Sequence, residues 1–236
     1  MIKAILLDIE GTTTPIDFVH KKLFPFAKAR LNDFIGAGLA SLGNTLVDLR
    51  AEYKRDFQDQ IYGRNFNESD PATIVNYLEF LIDVDRKSTP LKSIQGEIWK
   101  AGYESGELVS ELFPDVFRAI ENWRSKGLSA AIFSSGSVLA QQLIFKYSNA
   151  GDLGPFISAY FDTTTGKKQE SASYSTIARE LGVKPSEMLF VSDVVTELDA
   201  AHDAGARTAL SMRPGNGLVK APIAHDAVGS LTDLEI

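Results

Sequence analysis

The chain has 236 residues, 44% of them hydrophobic, which is enough for a substantial buried core in one or two domains. Its formal net charge of −7 and its pI near 5.1 argue against non-specific binding to nucleic acids or to anionic membranes. The absence of cysteine excludes disulfide bonds and thiol nucleophiles. We therefore expect a cytoplasmic protein that binds neither nucleic acid nor membrane, and we expect it to be a monomer.

Short, nearly continuous apolar runs predict strands of a parallel sheet, because strands that are buried on both faces show no alternation. These runs lie at residues 4–8, 129–135, 188–193 and 208–212, with a weaker fifth at 159–163. Helical patterns at 113–127, 170–182 and 196–206 lie between or beside them. In the helical pattern at residues 170–182, Ser171 or Ser173 is the expected N-cap. The alternation of strands and helices indicates a doubly wound α/β sheet.

A long insertion interrupts this alternation after the first strand. Residues 14–112 show only helical patterns, one of which begins at Asp70 as N-cap with Pro71 in the first turn. A usual connection between a strand and a helix has about 2–6 residues. We therefore expect an α/β core of residues 1–13 and 113–236 with a helical cap of residues 14–112, placed over the carboxyl end of the first strand.

Polar side chains follow three of the predicted strands. Asp8 follows the first, Ser134 and Ser135 follow the second, and Asp193 follows the run at 188–193. Ligands of open α/β sheets bind outside the carboxyl ends of the strands, so these groups should converge. A single Asp or Ser at a strand end is often only a turn or cap residue, but three such ends together favour a functional site.

The spacing of the two acids in "LLDIEGTTTP" suggests phosphate chemistry. Asp8 and Glu10 should lie on one side of an extended segment, since side chains alternate along a strand. Asp8 can attack phosphorus as a nucleophile, and Glu10 can transfer protons as a general acid and base. Mg²⁺ held by Asp8, Glu10 and Asp193 would offset their repulsion. Glu197 either orients this metal shell or is a solvated helix residue.

Two loop motifs could bind the substrate phosphate. In "SSGSV", Ser134 and Ser135 precede a helix N-terminus, where hydroxyl and backbone N–H groups bind anions, although Ser135 or Ser137 could also serve as an ordinary cap. In "TTTGKKQES", Lys167 or Lys168 could neutralise phosphate charge. Loop lysines are usually solvated, so this motif alone is weak evidence for a phosphate-binding lysine. Its position between two strands of the predicted site makes that role more plausible.

The ordered set of Asp8, the Ser134 motif, the lysine loop and Asp193 resembles the haloacid dehalogenase-like phosphohydrolases. Within them, "LLDIEGTTTPI", "SSGSV", "GKKQESASY", "SDVVTELDAA", "RPGN" and "DRKSTPLKSIQGEIW" resemble the enolase-phosphatases, also called acireductone synthases, of methionine salvage. Glu10 stands where the wider superfamily usually has Asp. The resemblance covers nearly the whole chain.

The resemblance implies a small phosphorylated diketone, 5-(methylthio)-2,3-dioxopentyl phosphate, as substrate and one Mg²⁺ per subunit. It implies that Asp8 and Glu10 are catalytic and bind the metal with Asp193, and that Ser134, Ser135 and Lys168 contact the substrate. Two alternatives remain open at this point. One is a different Mg-dependent phosphatase of small phosphomonoesters, and the other is a non-enzymatic receiver domain that accepts phosphate on Asp8.

Overall fold

The structure is a computed structural model that describes residues 1–39, 42–217 and 224–236. Its helices are, in chain order, α1 Ile16–Phe18, α2 Phe24–Gly38, α3 Asn44–Gln58, α4 Pro71–Asp83, α5 Thr89–Glu104, α6 Val116–Ser125, α7 Val138–Lys146, α8 Ser171–Glu180 and α9 Val195–Asp203. A π-helical turn, Val19–Leu23, connects α1 to α2. The strands are β1 Ala4–Leu7, β2 Ser129–Phe133, β3 Ala159–Phe161, β4 Met188–Ser192, β5 Arg207–Ser211 and β6 Asp226–Val228.

The strands form one parallel sheet in the order β3-β2-β1-β4-β5-β6. Helices flank this sheet, which confirms the predicted doubly wound α/β fold. β1 lies at the centre, between β2 and β4, and every residue of β1 is fully buried. The five apolar runs correspond to β1–β5. The short strand β6 was not predicted because its three residues are partly exposed and form no apolar run.

One layer of the core lies between the sheet and the helices α8 and α9. Leu6, Phe133 and Phe190 from the strands pack with Tyr174 of α8 and Leu198 of α9 in one buried cluster. Burial of aromatic side chains of this size contributes about 1.5–3 kcal/mol each to folding. This packing fixes the carboxyl ends of β1, β2 and β4 relative to the helices that follow them.

The chain divides into two compact units, the sheet unit of residues 1–19 and 108–236 and the helical unit of residues 20–107. The predicted cap began at residue 14 and ended at residue 112, so the helical unit is shorter than predicted at both ends. Thr14 and Ser110, which the prediction placed in the cap, belong to the sheet unit. The Thr14 carbonyl accepts a hydrogen bond from Gly11 N–H, and Ser110 N–H donates to the Tyr147 carbonyl.

The helical unit has its own core. Helix α2 packs on α4 and α5, and α3 packs on α5. Leu31, Leu49 and Leu78 are fully buried there. No helix among the described residues is long and apolar enough to span a bilayer.

Helix α4 starts as the sequence predicts. Asp70 is its N-cap, and the carboxylate of Asp70 accepts a hydrogen bond of 3.1 Å from Ala72 N–H. Helix α8 differs from its prediction, since Glu170 precedes it without a side-chain cap. Ser171 is the first helical residue, and the hydroxyl of Ser173 instead donates to the carbonyl oxygen of Lys167.

Replacing the cap of α4 gives a direct test of this local structure. We expect Asp70→Ala to lower the free energy of unfolding by about 1 kcal/mol, because Ala72 N–H loses its acceptor. Asp70→Asn keeps an acceptor oxygen and should remain within a few tenths of a kcal/mol of the parent protein. Urea denaturation followed by circular dichroism measures both, and equal stability of the Ala variant and the parent would contradict the capping role.

Candidate active site

The carboxyl ends of β1, β2 and β4 meet at one edge of the sheet. Asp8 follows β1 and Ser134 follows β2, while Asp193 follows β4. The three strands end at nearly the same level along the strand direction, since Leu7 lies opposite Ile132 of β2 and opposite Val191 of β4. The structure therefore brings the predicted strand-end groups to the same edge.

Lys168 forms two buried ion pairs at this edge. Its Nζ atom lies 2.7 Å from Oδ1 of Asp8 and 2.6 Å from Oε2 of Glu197. All three side chains are less than 10% exposed. Glu197 is therefore not a solvated helix residue, because it holds the lysine that contacts Asp8.

Ser192, which sequence reasoning missed, connects the two acids. Its hydroxyl lies 3.3 Å from Oδ2 of Asp8 and 3.0 Å from Oε2 of Glu197, and it accepts a hydrogen bond from Val194 N–H. Asp8 Oδ1 also accepts a hydrogen bond of 2.7 Å from Ile9 N–H. Ser192 is the last residue of a fully buried strand, so a polar residue inside the apolar run at 188–193 was the available signal.

The structure distinguishes the two adjacent lysines. The side chain of Lys167 is 76% exposed and pairs with Glu170 on the surface. Lys168 instead points inward, and its backbone carbonyl accepts a hydrogen bond of 2.7 Å from the hydroxyl of Tyr174. Helix α8 thus anchors the loop that delivers Lys168 to Asp8.

The loop after β1 turns sharply instead of continuing as a strand. The carbonyl oxygen of Ile9 accepts hydrogen bonds from the N–H groups of Thr12, Thr13 and Thr14. Because β1 ends at Leu7, Asp8 and Glu10 lie beyond the strand, and their position on one side of this segment stays a prediction. Glu10 is partly exposed and forms a backbone bridge with Thr14.

Gly11 is tightly enclosed in this loop. Its φ angle is +67°, and a Cβ atom at this position would lie 2.5 Å from Oδ2 of Asp193 and 2.9 Å from Oδ1 of Asn216. Only glycine fits both constraints without strain. Asp193 and the loop after β1 are therefore in direct contact.

The serine loop after β2 combines an inward-facing hydroxyl with a capped helix. Ser134 is buried, and its hydroxyl oxygen accepts a hydrogen bond of 3.2 Å from Gly136 N–H. Ser135 is half-buried. Ser137, not Ser135, is the N-cap of α7 and accepts from Ala140 N–H. Ser134 and Ser135 are thus not used to cap the helix and lie beside a helix N-terminus, where anions are stabilised.

The electrostatics of this edge are dominated by buried carboxylates. Burial and the negative charge of Asp8 raise the pKa of Asp193 to about 7. The same two causes raise the pKa of Glu197, although Lys168 opposes them. Burial alone would lower the pKa of Lys168, but the charges of Asp8 and Glu197 raise it above its usual range. Lys168 is therefore held in its charged form, beside more negative charge than it can balance.

Some of the carboxylates at this edge of the sheet are suited to bind a divalent cation. Asp8 and Asp193 provide carboxylates whose mutual repulsion a cation would relieve. Among residues 1–39, 42–217 and 224–236, no group of three acidic or imidazole side chains is arranged to hold a metal ion, so the predicted shell of Asp8, Glu10 and Asp193 stays a prediction. Glu10 lies beyond the end of β1, next to the turn at residues 11–13. Mg²⁺ often binds through one or two carboxylates and several waters, so two carboxylates suffice.

Comparison with known proteins agrees with this geometry. A family model described as haloacid dehalogenase-like hydrolase matches residues 2–205. Enolase-phosphatase E1 of Synechococcus elongatus is 52% identical over 93% of this chain and 92% of its own. Enolase-phosphatase E1 of Pseudomonas aeruginosa is 44% identical over 100% of this chain and 99% of its own. The chain belongs to the enolase-phosphatase family of haloacid dehalogenase-like hydrolases.

Solved structures support the same fold. The crystal structure of the UTR4 protein from Saccharomyces cerevisiae is 32% identical, has a TM-score of 0.80, and covers 99% of this chain and 100% of its own. CbbY from Rhodobacter sphaeroides, solved with xylulose-(1,5)-bisphosphate, is 18% identical and has a TM-score of 0.60. The match covers 99% of this chain and 96% of the CbbY chain, and it shows a shared fold. Membership of this hydrolase family identifies the chain as an enzyme and removes the receiver-domain alternative.

The enclosure of Gly11 leads to a stability prediction. We expect Gly11→Ala to lower the free energy of unfolding by about 2–4 kcal/mol, because the new methyl group meets Asp193 and the positive φ is strained. Gly127→Ala is the matched control, since Gly127 has a φ of +77° but no neighbour within 4 Å of a new Cβ atom. The control should lose only about 1 kcal/mol. Equal losses in thermal or urea unfolding would show that Gly11 is not enclosed.

Proposed function

We propose that this enzyme is a bifunctional enolase-phosphatase of methionine salvage. It converts 5-(methylthio)-2,3-dioxopentyl phosphate through an enol phosphate to 1,2-dihydroxy-5-(methylthio)pent-1-en-3-one and phosphate. The observation that carries the proposal is the buried contact between Asp8 and Lys168, in a chain that matches enolase-phosphatases over nearly its full length. A phosphate-attacking carboxylate needs such a cation beside it, because both the nucleophile and its target are negative.

Asp8 is the proposed nucleophile. One of its carboxylate oxygens attacks phosphorus, the bond between phosphorus and the enol oxygen breaks, and an aspartyl-phosphate forms on Asp8. Water then attacks the same phosphorus, which releases phosphate and restores the carboxylate. Lys168 neutralises charge beside Asp8 in both steps, and Glu197 keeps Lys168 in position through their ion pair of 2.6 Å.

Glu10 is the proposed proton-transfer residue. In enolisation it removes a proton from the carbon that carries the phosphate ester, and the neighbouring carbonyl oxygen gains a proton. In dephosphorylation it donates a proton to the leaving oxygen and later accepts one from the attacking water. Ser134 and Ser135 are proposed to donate hydrogen bonds to the phosphate, beside the N-terminus of α7.

Asp8 and Asp193 are the proposed side-chain ligands of Mg²⁺, and Glu10 stays the third ligand that the sequence predicts. When bound, the ion would polarise the substrate oxygens and reduce the repulsion between phosphate and carboxylates. Burial and the negative charge of Asp8 raise the pKa of Asp193, and a cation bound beside this carboxylate would favour its charged form.

The adjacent lysines provide a matched pair of variants. We expect Lys168→Met to reduce kcat/KM for phosphate release at least about a hundredfold, because Asp8 and the phosphate lose their buried cation. Lys167→Met removes an exposed surface lysine and should stay within about twofold of the parent enzyme. Phosphate release assays measure both, with circular dichroism to verify folding. Comparable losses in the two variants would refute the assignment of Lys168.

Ultraviolet absorbance during turnover of the diketone phosphate tests the bifunctional reaction. The parent enzyme should produce an enol signal followed by the acireductone product, with release of phosphate. We expect Asp8→Asn to lower phosphate release by about a thousandfold or more while the enol accumulates, since Glu10 remains in place. Phosphate release without any enol signal in the parent enzyme would instead indicate a general phosphomonoester phosphatase.

A further inference from the structure

The loop after β5 holds the loop after β1 through two consecutive carbonyl groups. The carbonyl oxygen of Gly11 accepts hydrogen bonds of 2.9 Å from the hydroxyl of Ser211 and from Nδ2 of Asn216. The carbonyl oxygen of Thr12 accepts a hydrogen bond of 3.1 Å from Nε of Arg213. These donors fix the backbone immediately after Asp8 and Glu10.

Arg213 is itself held rigidly. Its guanidinium group forms two hydrogen bonds, of 3.0 and 2.9 Å, with the carboxylate of Asp115, and it lies over the ring of Phe113. The hydrogen bonds from Arg213 and from Leu231 N–H outweigh the effect of burial and lower the pKa of Asp115. The loop after β5 is therefore a fixed support and not a free surface loop.

The side-chain amide of Asn216 has only one orientation that fits its neighbours. Nδ2 donates to the carbonyl oxygens of Gly11 and Ser211, at 2.9 and 3.1 Å, so both of its hydrogens are used. Oδ1 must then point away from these carbonyls. This oxygen is buried and accepts no hydrogen bond from any residue that the structure describes.

Oδ1 of Asn216 and a carboxylate oxygen of Asp193 both lie close to Gly11. The point where a Gly11 Cβ atom would lie is 2.9 Å from Oδ1 of Asn216 and 2.5 Å from Oδ2 of Asp193. A buried acceptor such as Oδ1 of Asn216, close to the half-buried carboxylate of Asp193, is unfavourable unless a donor or a cation lies near both. A water bound to Mg²⁺ is a strong donor, and Mg²⁺ usually keeps several waters.

We propose that Asn216 is a positioning residue for the metal site. Its Oδ1 accepts a hydrogen bond from a water of the Mg²⁺ shell held by Asp8 and Asp193, while its Nδ2 fixes the Gly11 carbonyl. This inference rests on the magnesium requirement proposed above. Hydrogen-bonding partners in the outer shell of a metal commonly change affinity by about 10–100-fold when they are removed.

Calorimetric titration of the metal-free enzyme with Mg²⁺ tests this role without relying on turnover. We expect Asn216→Ala to weaken Mg²⁺ binding at least about tenfold. Ser211→Ala is the matched control, because it removes a donor to the same Gly11 carbonyl but no oxygen beside Asp193. Its dissociation constant should stay within about twofold of the parent value. Equal weakening in the two variants, or none in Asn216→Ala, would overturn the proposal.

A second variant separates the oxygen from the two donors and serves if Asn216→Ala does not fold. Asn216→Asp keeps an oxygen beside Asp193 and loses both N–H donors. We expect it to unfold at lower temperature than the parent enzyme but to bind Mg²⁺ at least as tightly. Weaker Mg²⁺ binding by Asn216→Asp would contradict the acceptor role. Failure of the parent enzyme itself to bind Mg²⁺ would instead refute the metal requirement of the proposed function.

Discussion

Buried negative charge at the carboxyl edge of the sheet is the constraint on which the site depends. Lys168 pairs with Asp8 and Glu197, and Asp193 adds a third carboxylate nearby. One ammonium group cannot balance three carboxylates, and burying an unbalanced charge is costly. Burial, and then the negative charge of Asp8, raise the pKa of Asp193. The same excess of negative charge explains why a metal is proposed here. A divalent cation would offset this charge and let a negative phosphate approach Asp8.

The fold supports this charge cluster by distributing it over separate, rigid elements. Asp8 follows the central strand β1, Glu197 lies in the first turn of α9, and Lys168 lies in a loop whose carbonyl groups are bonded to α8. Ser192 links two of these acids through one hydroxyl. The cluster is therefore assembled by several elements, and such preorganised charges are what electrostatic catalysis needs.

Sequence patterns were sufficient for β1–β5, which carry apolar runs, but not for the short and largely exposed strand β6. They also located Asp8, Ser134 and Asp193, since polar residues at the ends of parallel strands meet at one edge. They failed where tertiary contacts override local pattern. The pair of Arg213 with Asp115 joins residues far apart in the sequence. Such a contact leaves no periodic signal.

The most direct test of the proposed chemistry is a crystal structure of the enzyme with Mg²⁺ and orthovanadate, which imitates phosphorus during transfer. We predict that vanadium lies against a carboxylate oxygen of Asp8, that Lys168 contacts the vanadate, and that Asp8 and Asp193 both bind the metal. Vanadate bound away from Asp8, or a metal bound without Asp193, would contradict the central claim that these buried charges form one phosphate-transferring site.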